Sequence, residues 1–123
     1  MKAIVYTEYS PEDDFSKILK VQEIDDPKPK SDEVVFQVKA AALNYNDIWG
    51  MRGNPVPVPL PHVSGSDAAG DVIAVGEDVK NIKVGDRVVS HSNMSCRVCK
   101  ACTDGREFDC TKRTIWGFQT GPN

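Results

Sequence analysis

Cysteine is absent from residues 1–95 and again from 111–123 of this 123-residue chain. Disulfides spread along the chain, the usual staples of a small secreted domain, are thereby excluded. No excess of basic charge is present either: 15 Lys and Arg stand against 18 Asp and Glu, a net charge of −3. Neither a nucleic-acid footprint nor a membrane-binding stripe is expected from that balance. No apolar run approaches the roughly 20 residues that cross a bilayer. The opening MKAIVYTEYS passes straight into a strand-like pattern, without the successive sections of a secretory leader. The cytoplasm is the expected compartment. Internal repeats, low-complexity tracts and long stretches of helical periodicity are also missing. The length allows one domain with a modest core and is short for a two-domain enzyme.

What is present reads as short strands with Gly, Pro and Asp punctuation. KAIVYTEY and ILKVQEI (Ile18–Ile24) alternate around the polar SPEDDF and are expected to pair. EVVFQVKAAALN (Glu33–Asn44) sets Val34, Phe36 and Val38 against Val35, Gln37 and Lys39, the pattern of a long half-buried strand. In NYNDIWGMRG, Asn44 or Asn46 can cap a short helical turn that Gly50 and Gly53 can end. Prolines at 55, 57, 59 and 61 remove every second backbone donor, so this stretch is an extended connection. SDAAGDVIAVG and IKVGDRVVSH then supply two further strands across the polar turn EDVKN. A mainly β, barrel-like domain with few helices is predicted.

All four cysteines fall in CRVCKACTDGREFDC, spaced C-x2-C-x2-C-x7-C. In a reducing compartment clustered thiols are more often metal ligands than disulfides. Four thiolates from Cys96, Cys99, Cys102 and Cys110 would close a tetrahedral zinc shell, and a closed shell has no position for water or substrate, which points to structure and not catalysis. Arg97, Lys100, Arg106, Lys112 and Arg113 can offset its negative charge. An iron–sulfur cluster competes, but its bacterial motif has three residues before the fourth cysteine and a proline after it, whereas here seven precede Cys110 and Thr111 follows. Unmetallated thiols or disulfides within the cluster are the remaining alternative.

The MKA start, VKAAALNYND, GSDAAGDVIAVGEDV, KVGDRVV and the four-cysteine lobe (95–112), in that order, resemble the N-terminal catalytic domain of the zinc-type medium-chain alcohol dehydrogenase and quinone reductase superfamily. The resemblance implies a GroES-like, partly open barrel over residues 1–123, with the cysteines as its structural zinc lobe. It also implies a Rossmann domain for the nicotinamide cofactor. No G-x-G-x-x-G follows any strand here, so that domain is expected outside these residues and the chain reads as a fragment. Zinc alcohol dehydrogenases carry a ligand cysteine at the place of Asn44, a Ser or Thr at the place of Asn46, and Gly-His-Glu at Gly65-Ser66-Asp67. Carboxamide and hydroxyl are poor zinc ligands beside thiolate and imidazole, and His62 and His91 read as structural residues. The resemblance therefore implies a structural zinc without a catalytic one.

LNYNDIW, GSDAAG, VVSHSN and IWGFQT are most similar to the enoyl-CoA reductase branch that includes crotonyl-CoA carboxylase/reductases. That branch has Asn at the place of Asn44 and Phe-Glu at the place of Phe118-Gln119. The glutamine in place of glutamate, together with a cysteine lobe that carboxylating members lack, favours simple NADPH-dependent reduction of a short-chain 2-enoyl-CoA, such as acryloyl-CoA or crotonyl-CoA. Asn44 and Asn46 would then orient substrate or nicotinamide, Tyr45 form a wall or donate a proton, Asp67 support the hydrogen bonds, and Phe118 and Gln119 close one side. The bland reading of NYND is a capped turn whose Asn side chains satisfy themselves. The partner is a small-molecule substrate, and the full-length protein is expected to be a homo-oligomer. The alternatives are an alcohol dehydrogenase-like or quinone oxidoreductase and a non-enzymatic, zinc-stabilised module.

Overall fold

The computed structural model describes residues 1–55 and 57–120. Strands β1 (Lys2–Val5) and β2 (Lys20–Glu23) pair antiparallel with Lys2 opposite Glu23, as their alternation predicts. The strand expected from Ile18 begins only at Lys20, however, because residues 15–18 form a single helical turn, α1 (Phe15–Ile18). The side chain of Ile18 is buried in the core while Lys20–Glu23 is exposed throughout, so β2 begins only after the chain has turned Ile18 inward.

The central sheet is β3 (Val34–Ala42), β4 (Asp67–Val75) and β5 (Arg87–Val89), antiparallel in that order. Register shifts between Val35 and Phe36 and between Val38 and Ala40 mark bulges, which increase twist and curl the sheet. Gly70 on β4 permits the close approach: a Cβ there would stand 2.0 Å from the Gln37 carbonyl oxygen. Half-burial of β3 holds only for Val34–Phe36, and from Gln37 to Ala42 the strand is exposed. The sheets stay open, with β1–β2, β3–β4–β5 and the short pair β6 (Asn93–Met94) and β7 (Thr114–Ile115) as separate units.

Helix α2 (Tyr45–Arg52) runs two turns from Asn44 to Gly53, whose φ of 68° makes the left-handed stop that glycine accepts most readily. Gly50 lies inside this helix, where it leaves space for a neighbour: a Cβ would meet the Tyr6 hydroxyl at 2.9 Å. The proline-rich connection makes no strand among the described residues and touches β1's extension through one bridge, Tyr6 with His62. Tyr6, Ile18, Met51, Val58 and Phe118 form the buried core, flanked by Tyr9, Phe15, Ile48 and Ile115. The core thus lies between β1, α1, α2, the proline connection and the turn after β7. No helix among the described residues is long and apolar enough to cross a membrane.

Candidate active site and metal centre

The end of β3, the start of β4 and the start of α2 meet at one place, because Ala42 pairs with Asp67 two residues before Asn44 begins the helix. Asn44 is the N-cap: the Asn46 N–H donates to Asn44 Oδ1 at 3.2 Å, and the Asn44 N–H donates to Asp47 Oδ2 at 2.8 Å. This reciprocal arrangement satisfies two backbone donors that a helix start leaves without partners. It occupies the Asn44 carbonyl oxygen and leaves its NH2 as the exposed donor. Asp47 itself is buried, at 5% exposure, so its carboxylate serves the helix from inside. Tyr45 is exposed and stands edge-on to Trp49, with its hydroxyl accepting from Arg52 at 3.4 Å. Arg52 in turn grips Asp13 with two donors, which holds the Asp13 carboxyl below its usual range.

The turn 115–120 reaches the same place from the other side. Gly117, at φ 75°, packs so closely on Gly65 that a Cβ would fall 1.9 Å from the Gly65 carbonyl oxygen and 3.3 Å from the Ser66 nitrogen. Phe118 directs its ring into the core and is buried. Gln119 is exposed, and its Oε1 accepts from the Ile115 N–H at 3.0 Å, so its NH2 is the group left to act as a donor. Asp67 is half-buried at the start of β4. Ala42–Asp67 pairing thus sets Asp67 beside the strand end that leads into Asn44, and the Gly117 contact sets the turn carrying Gln119 against Gly65 and Ser66. The ring of Phe118 and the hydroxyl of Tyr45 point to other neighbours.

Two buried side-chain oxygens at this junction lack a hydrogen-bond partner among the described residues, Tyr6 Oη and Ser66 Oγ. Burial pushes the Tyr6 phenol up to about 12, against a smaller opposing effect from Ser64. Pattern reading passed over Tyr6 because a tyrosine at a strand end has no distinctive signal. His62 is fully buried and hydrogen-bonded, as its structural reading expects, whereas His91 is exposed.

The cysteine lobe is a separate centre. Strands β6 and β7 close its base, and inside it lie a helical turn, α3 (Lys100–Thr103), and a 3-10 turn at Glu107–Asp109. Cys96, Cys99, Cys102 and Cys110 bring their sulfurs within 4.8 Å of one another. Sγ–Sγ separations of 3.9 Å for Cys96–Cys102 and 3.5 Å for Cys99–Cys102 are far beyond a disulfide. They match the edges of about 3.8 Å expected for four sulfurs about 2.3 Å from a tetrahedral ion. The Cys99 N–H donates to Cys96 Sγ and the Cys96 N–H to Cys110 Sγ, each at 3.4 Å. Arg97, at φ 59°, takes the left-handed conformation that folds this knuckle. Backbone donors from Val98 and Cys99 bring the Cys96 thiol down to about 6, while burial pushes Cys102 up to about 11. Val98 and Phe108 remain 80% and 67% exposed, so the lobe has little apolar core of its own. The donor set fits a soft tetrahedral cation, and no other group of three or more Cys, His, Asp or Glu side chains converges in this way among the described residues.

Known proteins are similar to this chain in sequence and fold. The chain is 39% identical over 108 residues to a crotonyl-CoA carboxylase/reductase of Cereibacter sphaeroides, covering 83% of this chain and 25% of that one. It is 36% identical over 94 residues to an acryloyl-coenzyme A reductase of Sulfurisphaera tokodaii, covering 76% and 28% respectively. A cobalt- and zinc-bound thermostable alcohol dehydrogenase from Pyrobaculum aerophilum superposes with a TM-score of 0.87 at 30% identity, covering 100% of this chain and 36% of that one. The chain spans between 25% and 36% of the length of these relatives. Residues 30–122 match the alcohol dehydrogenase GroES-like domain, and the chain belongs to that family.

Proposed function

We propose that these residues form the substrate-side domain of an oxidoreductase that reduces a short-chain 2-enoyl-CoA, of acryloyl or crotonyl type, with NADPH bound mainly by a Rossmann domain. The observation that carries this reading is the chemistry of the helix start. Asn44 and Asn46 stand at the helix start, Asp67 pairs with Ala42 two residues before it, the Gln119 turn packs on Gly65 and Ser66 through Gly117, and the imidazole of His62 faces backbone carbonyls. Such a set offers hydrogen-bond donors and no thiolate or free imidazole for a catalytic metal. Alcohol oxidation leans on a Lewis acid at the alkoxide, whereas conjugate reduction needs donors on the thioester oxygen as negative charge develops.

When bound, the nicotinamide would supply the hydride that adds to Cβ of the enoyl group. The electron pair of the double bond would move to the thioester oxygen, and Cα would then take a proton from solvent or a side chain, to give acyl-CoA and the oxidised cofactor. The NH2 groups of Asn44 and Gln119 would donate to that oxygen or orient the nicotinamide amide. Tyr45 would contribute a wall, its hydroxyl being held toward Arg52. The cysteine lobe would hold a structural zinc through Cys96, Cys99, Cys102 and Cys110, and its four free thiols suit the reducing cytoplasm. Two close resemblances to enoyl-CoA enzymes support the substrate class. An alcohol dehydrogenase-like or quinone reductase activity is the second reading, favoured by the shared fold of the Pyrobaculum enzyme. NADPH oxidation by the full-length protein, measured against acryloyl-CoA, crotonyl-CoA, quinones and aldehydes, separates the two. Turnover of an enoyl thioester is expected, and activity only with quinones or aldehydes overturns the first reading.

A further inference from the structure

His62 has no solvent exposure, and each of its ring nitrogens faces a carbonyl oxygen, Nδ1 that of Pro59 at 3.2 Å and Nε2 that of Gly117 at 2.9 Å. Carbonyls only accept, and a neutral imidazole has one N–H to give. The shorter contact favours the tautomer protonated on Nε2, with the ring donating to Gly117. The backbone of His62 is itself fixed, since its N–H and carbonyl pair with Tyr6 at 2.9 and 3.1 Å and its ring tilts against the Tyr6 ring at 5.3 Å. Around Gly117 the turn is tied internally: the Ile115 carbonyl accepts from the Phe118 and Gln119 N–H groups, and the Gly117 N–H donates to Thr120 Oγ1. Among the described residues, His62 provides the one side-chain hydrogen bond that reaches this turn from outside it.

We infer that His62 is a positioning residue, which acts through the Gly117 carbonyl to seat the Phe118–Gln119 turn against Gly65 and Ser66 and so sets where the Gln119 carboxamide stands. This inference rests on the proposed reduction only for what the turn contacts, not for the clamp itself. Two polar replacements distinguish the ring's two bonds. In His62→Gln the amide nitrogen reaches the Nε2 position and can still donate to Gly117. In His62→Asn it reaches only the Nδ1 position, beside Pro59. Hydrogen exchange of the full-length protein, followed on peptides covering 115–120, is expected to stay at the wild-type level in His62→Gln and to rise in His62→Asn, with both proteins folded by thermal melting. Turnover of crotonyl-CoA should then show kcat preserved in His62→Gln and lowered on the order of 10-fold or more in His62→Asn, with KM nearly unchanged, the scale expected from a small misplacement of a site group. Equal exchange in the two variants, or equal kcat loss with reduced melting temperature in both, overturns the inference. If the wild-type enzyme does not reduce enoyl thioesters, the substrate reading fails while the exchange result still decides the clamp.

Discussion

Tyr6 is fully buried, yet its hydroxyl meets no hydrogen-bond partner among the described residues and stands against the one position of α2, Gly50, that has no side chain to obstruct it. A buried hydroxyl left without a partner costs about 1–3 kcal/mol. Tyr6→Phe keeps the ring and removes that cost, so a gain of about 1 kcal/mol in stability is expected from denaturant titration. The same residue makes a pH prediction. Its folded pKa lies near 12 and its ordinary value is 10.0, so the folded state holds the proton more tightly. That contribution is fully present below about pH 10 and is lost as pH rises toward 12. Melting temperature should fall across this window in the wild type and fall less steeply in Tyr6→Phe. An identical slope in both proteins would show that Tyr6 is not the titrating group.

At the scale of the element, α2 is held by its ends, because its apolar face is poor and its start relies on Asn44 and Asp47. Removing the cap by Asn44→Ala should cost about 1 kcal/mol, whereas Asn44→Ser retains a capping oxygen and most of the stability. The pair separates the two duties of this residue. Should Asn44→Ser melt like wild type but lose turnover of the enoyl thioester, the carboxamide donor matters to the reaction. Unchanged turnover would leave Asn44 as a helix cap alone. Asn-Tyr-Asn-Asp before an apolar stretch was legible as a cap, and Gly53 as a stop. The second turn of the helix was not, since Gly50 resembles a terminator until the Tyr6 side chain that fills its empty side is known. Likewise Ile18 looked like the start of a strand, because a four-residue helix shows too little periodicity to be told from its surroundings.

Across the whole molecule the lobe and the barrel are stabilised differently. The barrel buries Tyr6, Ile18, Met51, Val58 and Phe118, while the lobe leaves Val98 and Phe108 in solvent and converges four thiols. A structural zinc is worth about 10–16 kcal/mol to small peptides that fold around it. Metal analysis is expected to find one zinc per chain. Removing it with a strong chelator, or by Cys110→Ser, should raise hydrogen exchange over 95–112 and leave β3, β4 and β5 protected. Iron in the purified protein, or protection of the lobe without metal, contradicts this.

Cysteine spacing, proline positions and strand alternation by themselves determined the four-cysteine lobe, the extended connection and the mainly β character. Each follows from constraints carried by the residue type: soft sulfur ligands, a missing backbone donor, and a side-chain period of two. Only the tertiary structure decided that Asp67 pairs with Ala42 beside the start of α2, that Phe118 turns inward while Gln119 stays outside, and that His62 reaches the Gly117 carbonyl across 55 residues of chain. These are contacts between distant segments, and no local propensity encodes which carbonyl a buried imidazole will face.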